Sequence, residues 1–135
     1  MIQSQRNKYM ETTVQTATPA QLLIMLIDGA TRFCKMGISA IEQNNYIDAN
    51  LNLGKVQDIV SELIITLDRE SAVADGLLRL YEYFNFRLIE ANIQKKVEPA
   101  QEVLGYLLEL KEVWIQAAKS TLSATATSWS VLQHG

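Results

Sequence analysis

An all-α fold is predicted, an antiparallel up-down four-helix bundle with an extended N-terminal segment, on three observations. Apolar residues recur at helical spacing in four separate segments, no segment of comparable length alternates with a period of two, and the connections between the four are short. Links of about five residues oblige successive helices to run antiparallel, with left-handed packing near about 20°. The same pattern divides the chain into an extended stretch over residues 1–17, a bundle over residues 18–119 and a flexible tail over residues 120–135.

The first helix has the clearest start. Thr18 is placed to cap it, Pro19 occupies the first helical position and Gln21 stands where it closes a capping box. Leu22, Leu26, Ala30, Phe33, Gly37 and Ile41 then fall on one stripe, which Leu23, Ile27, Cys34 and Ile38 widen. Asn44 and Asn45 interrupt the chain, after which Ile47, Leu51, Ile59, Leu63 and Leu67 mark a second helix ending near Asp68. A third runs from about Val73 to Asn92 on Leu77, Tyr81, Phe84, Leu88 and Ala91. Pro99 suits the first turn of a fourth, where Val103, Leu107, Leu110, Trp114 and Ala117 repeat the period to about Lys119. Gly29, Gly37 and Gly54 lie inside these helices, where a glycine costs about 1 kcal/mol against alanine, and a close helix crossing is the expected compensation. The tail is rich in serine, threonine and alanine, with Trp129, Val131 and Leu132 as its only apolar cluster, and that cluster has no assigned role.

Composition excludes several classes of function. With 48% hydrophobic residues and only two prolines, the chain has the apolar surface that disordered chains lack. Its net charge is −3, and the basic residues are scattered rather than gathered into a stripe that could neutralise phosphates, so no nucleic-acid partner is expected. No apolar run approaches the roughly 20 residues that span a bilayer, and the polar start lacks the apolar core of a signal peptide. A cytoplasmic protein without membrane insertion is expected. The single cysteine, Cys34, lies among apolar neighbours and reads as buried packing.

Catalytic chemistry has no residues to work with. A di-iron site in a helical bundle needs carboxylates from several helices and two Glu-x-x-His pairs, whereas the one histidine here is His134. There is no nucleophile elbow, phosphate loop or zinc spacing. Glu109 and Glu112 share a surface-type face with Lys111 and read as solvated. The chain is expected to be neither an enzyme nor a carrier of a metal or cofactor.

What remains is surplus apolar surface. The first helix adds Ile24 and Met25 and the second adds Val56, Val60 and Ile65. The third adds Leu80, Tyr83, Phe86, Ile89 and Ile93, nearly a second stripe opposite Leu77, Phe84 and Leu88. A four-helix bundle has no deep interior for such faces, so they are offered to a partner or to a second copy of the chain, and periodicity alone leaves both readings open. Ahead of Thr18, Ile2, Tyr9, Met10 and Val14 are spaced through a stretch with little helical pattern, which reads either as a cover for an apolar groove or as a frayed terminus.

The run YMETTVQTATPAQLLIML over residues 9–26 resembles the opening of the flagellar export chaperone FliS family: a tyrosine, a valine five residues on, then T-A-x-P and a leucine-rich helix. GKVQDIVSELIITLD over residues 54–68, LYEYFNFRLIEAN over residues 80–92 and the closing Trp114 are similar to later parts of the same family, in the same order. The resemblance implies a monomeric or weakly dimeric bundle that binds the disordered C-terminal segment of flagellin in the cytoplasm. It would thereby prevent premature polymerisation and assist delivery to the gate of the flagellar type III secretion apparatus. By position it implies groove-capping roles for Tyr9 and Val14, a client-facing basic residue at Lys55 and the asparagine that closes the third helix at Asn92; the periodicity adds Leu80, Tyr83, Phe86, Ile89 and Ile93 as client-binding candidates. The rival expectation is a self-dimerising structural or regulatory protein of flagellar assembly. Two features depart from the family: the link RESAVADG over residues 69–76 lacks adjacent glycines, and the cluster of Trp129, Val131 and Leu132 matches nothing in it.

Overall fold

The structure is a computed structural model that describes residues 18–134, with side chains as far as Ser120. Tyr9, Val14 and the whole 1–17 segment lie outside the described residues, as do the side chains of Trp129, Val131 and Leu132. Four helices make up the fold: α1 (Pro19–Glu42), α2 (Tyr46–Ile65), α3 (Ala74–Gln94) and α4 (Val97–His134). The last of these continues as helical backbone beyond the end near Lys119 suggested by the apolar period.

Local chemistry explains where each helix begins and ends. At the start of α1 the Gln21 amide donates to Thr18 Oγ1 at 3.1 Å, and Gln21 Oε1 accepts from the Thr18 amide at 2.9 Å, completing the capping box ahead of Pro19. Asn44 breaks the chain direction with a φ of 59°, a left-handed conformation that asparagine tolerates, and Asn45 Oδ1 accepts from the Asp48 amide to open α2. In the link after α2, the Asp68 carboxylate accepts from the Glu70 amide, and main-chain bonds join Ser71 to Asp68 and Ala74 to Ser71. No residue in that link has a positive φ, so the turn does without the glycines that the sequence lacks there. Lys95 closes α3 in the left-handed region with a φ of 53°. Asn92, the residue that the sequence puts at this end, lies within the helix.

Each helix packs on two neighbours: α1 and α3 both lie against α2 and α4. The arrangement is antiparallel. Gly37 faces Leu53 and Gly29 faces Ile59; Cys34 meets Ala100 while Asp28 meets Lys111; and Asn92 near the end of α3 bonds Asn50 near the start of α2. The core comprises Ile27, Ala30 and Cys34 of α1, Leu53, Val56, Val60 and Leu63 of α2, Tyr81, Phe84 and Leu88 of α3, and Val103 and Leu107 of α4. The Cys34 thiol donates to the Ala100 carbonyl at 3.3 Å, and burial pushes its pKa up to about 12, so it serves as packing.

The rotation of α2 corrects the sequence reading. Ile47 and Leu51, taken as core, are 83% and 54% exposed, while Val56 and Val60, taken as surplus, are fully buried. Helix α2 carries two apolar stripes, and periodicity finds both without ranking them. The choice is made at Gly37, where an added Cβ would stand 2.8 Å from Leu53 Cδ2. Only a glycine lets the Leu53 side of α2 come that close. Gly29 makes ordinary contact with Ile59 and Gly54 faces open space, so of the three helical glycines that suggested a close crossing, one supplies it.

The contrast is measurable. Gly37→Ala is expected to destabilise the fold by about 1–2 kcal/mol in urea unfolding, because overpacking against buried Leu53 exceeds the gain in helix propensity. Gly54→Ala, with nothing near its Cβ, is expected to stabilise by about 0.5–1 kcal/mol. Equal effects would mean that α1 and α2 do not cross at Gly37.

Candidate functional site

Along the outer side of α3, Phe86, Ile89 and Ile93 form an uninterrupted apolar stripe, 64%, 46% and 76% exposed. They recur at helical spacing opposite Tyr81, Phe84, Leu88 and Ala91, which are buried. Leu80 does not belong with them. It lies one turn before Phe84 and is partly buried against the core, so its assignment to the outer stripe is corrected.

Tyr83 is half-exposed and turned toward α4, where its hydroxyl donates to the Glu102 carboxylate. Arg87, one turn on, donates to Glu102 at 3.3 Å and to Glu90 at 2.5 Å. The hydrogen bond to Glu102 comes first in holding the Tyr83 phenol above its ordinary pKa, followed by desolvation and the charge of Glu102. Desolvation works against the Arg87 guanidinium, but the bond to Glu90 and the charges of Glu102 and Glu90 outweigh it and raise its pKa. This polar seam ties one flank of α3 to α4 and leaves the Phe86 stripe facing outward.

The opposite flank of α3 meets α2 through Asn92, whose amide donates to Asn50 Oδ1 at 2.7 Å. Lys95 donates to Asn92 Oδ1 at 2.6 Å and places its ammonium 5.8 Å from the Tyr46 ring. Because Asn50 and Asn92 are bonded, the turn of α2 carrying Ile47 and Leu51 lies beside the turn of α3 carrying Ile89 and Ile93. The apolar surface therefore extends from α3 onto α2. Sequence reasoning missed Ile47 and Leu51 because it had placed them in the core, although the second α2 stripe was the available signal.

Lys55 is in a different place. Its ammonium stands 4.9 Å from the centre of the Phe33 ring on α1, on the side of α2 away from α3. The structure thus brings Phe86, Ile89, Asn92 and Ile93 together and separates Lys55 from them. Among the described residues no group of His, Cys, Asp or Glu could hold a metal ion, and no helix is long and apolar enough to cross a membrane.

The model of the family described as "Flagellar protein FliS" matches residues 1–121. The chain belongs to the FliS family. It is 35% identical over 119 residues to the flagellar secretion chaperone FliS of Bacillus subtilis, covering 88% of this chain and 90% of that protein. To the flagellar secretion chaperone FliS of Salmonella typhimurium it is 33% identical over 109 residues, 78% and 81% of the two chains. The flagellar secretion chaperone FliSB of Pseudomonas aeruginosa is 33% identical over 106 residues, 77% and 84% of the two. FliS is a family of chaperones and not of enzymes, and this member presents an apolar outer surface on α2 and α3.

Exposure distinguishes the two faces of α3. Phe86→Ala is expected to change the stability of the free protein by less than about 1 kcal/mol, whereas Phe84→Ala, fully buried, should cost about 3–5 kcal/mol. Thermal unfolding of the two variants decides it, and a large loss for Phe86→Ala would place that ring in the core.

Proposed function

We propose that this protein is a cytoplasmic export chaperone that binds the disordered C-terminal segment of flagellin, keeps it from polymerising early and assists its delivery to the flagellar type III export gate. The observation that carries the reading is the exposed stripe of Phe86, Ile89 and Ile93 beside Ile47 and Leu51. An amphipathic helix laid along that surface would match its spacing, since the apolar residues of a client helix recur with the period of the stripe. Membership of the FliS family and the naming of its relatives as flagellar secretion chaperones support the same client and destination.

In this reading the client is disordered when free and folds on the bundle, burying about 1,000–3,000 Å². Ordering it offsets much of the gain, which leaves the complex firm enough to hold and loose enough to release at the gate. Asn92 and Asn50 supply polar groups at the edge of the groove, and Tyr83 borders it on the α4 side. The chaperone works as a monomer or weak homodimer.

Residues 1–17 act here as a lid, with Ile2, Tyr9 and Val14 covering apolar surface until a client displaces them. They join the bundle at Thr18, at the end where the buried Trp114 indole N–H has no acceptor among the described residues. A tethered segment needs little intrinsic affinity, because its effective concentration is of millimolar order. Deleting it is expected to raise dye binding and to leave client affinity unchanged or tighter. A tenfold weaker client complex, about 1.4 kcal/mol, would make Tyr9 a direct contact instead.

The central test mixes the full chain with a flagellin C-terminal peptide and follows helix content by far-ultraviolet circular dichroism. Helix beyond the sum of the components is expected at saturation, and Phe86→Ala should weaken binding about tenfold or more while leaving the free protein folded. A chain that elutes as a dimer and ignores the peptide would favour a self-dimerising flagellar assembly protein.

A further inference from the structure

Two cations converge on one ring at the seam between α1 and α2. The Arg32 guanidinium carbon lies 5.1 Å and the Lys55 ammonium 4.9 Å from the centre of Phe33. Both side chains are exposed, and among the described residues neither makes an ion pair. Two other cations that join helices are ion-paired, Lys111 with Asp28 at 2.7 Å and Arg87 with Glu102 at 3.3 Å, whereas Lys95 lies 5.8 Å from the Tyr46 ring and makes no ion pair among the described residues. Among the described residues, Phe33 is the only ring over which two like charges are drawn together.

The position of Lys55 links the pair to the apolar surface. Ile47, Leu51 and Lys55 succeed one another at four-residue intervals, so the exposed stripe of α2 leads from the edge of α3 to the two cations. Attraction to the face of the Phe33 ring draws both charged groups to it, and because both residues are exposed they keep N–H donors within reach of solvent.

We infer that Arg32 and Lys55, held by Phe33, form a binding site for a carboxylate of the client segment, fixing the end or the register of a client that lies along Ile47 and Leu51. This rests on the reading of the protein as a flagellin chaperone. The carboxylate is either the client's free C-terminus or an acidic side chain, which share the same recognition chemistry.

The experiment uses the full chain and an R32Q/K55Q variant. The probe is a flagellin peptide covering about the last 40 residues, long enough for two helices of bundle length. It is prepared as the free acid, as the C-terminal amide, and with its Asp and Glu replaced by Asn and Gln. By titration calorimetry at low and high salt, the variant is expected to bind the free acid about five- to tenfold more weakly and with reduced salt dependence. One of the two neutralised peptides should show the same loss with the unaltered protein and no further loss with the variant, which identifies the carboxylate. R32K/K55R, which keeps both charges, should restore most of the affinity. An R32Q/K55Q variant that binds the free acid as tightly as the unaltered protein overturns this site alone. Failure of the unaltered protein to bind any of the peptides overturns the chaperone reading and this site with it.

Discussion

Contact between Gly37 and Leu53 sets the orientation on which the rest of this surface depends. Helix α2 has apolar residues on two sides, and hydrophobic burial by itself would accept either. With no Cβ at Gly37, the Leu53 side can approach α1 closely enough to exclude the alternative, and a buried leucine makes tens of small dispersion contacts there. Once that side is inward, Val56 and Val60 follow it into the core, Ile47 and Leu51 are left outside, and Lys55 is carried over Phe33. The core, the apolar stripe and the cationic pair are consequences of one rotation.

Helix α3 is fixed by chemistry of another kind. Its core side packs apolar residues, but its flanks are held by polar groups: Tyr83 and Arg87 to Glu102 on one side and Asn92 to Asn50 on the other. Partly exposed ion pairs of this sort contribute little to net stability, about 0–1 kcal/mol each. Their effect is orientational. With both flanks engaged, Phe86, Ile89 and Ile93 have nowhere to turn but outward. Apolar surface held out in this way stabilises nothing until it is covered, when each Å² removed from water contributes about 25 cal/mol. In the proposed reading, a client that must be ordered at about 1–2 kcal/mol per residue consumes most of that gain, which suits a holder that must later let go.

Much of this was legible in advance where the signal is local. The capping box of Thr18 and Gln21, the asparagine pair after α1 and the proline in the first turn of α4 each act within one turn of chain, so residue identity was enough to place them. The α3 faces were equally clear, because Phe84 and Leu88 on one side and Phe86 and Ile93 on the other are separated by the period itself. Leu80 was the exception. It sits at the edge between faces, where burial depends on how close α4 comes.

Amino-acid order by itself determined that this chain is helical, where its first three helices lie and that more apolar surface exists than a small bundle can bury. Those properties follow from spacing, composition and caps, which act over a few residues. Only the tertiary structure decided which side of α2 is core and that Lys55 shares Phe33 with Arg32. Each of these depends on a neighbour distant in sequence. Periodicity describes the faces of one helix but carries no information about the rotation that a second helix will impose on it.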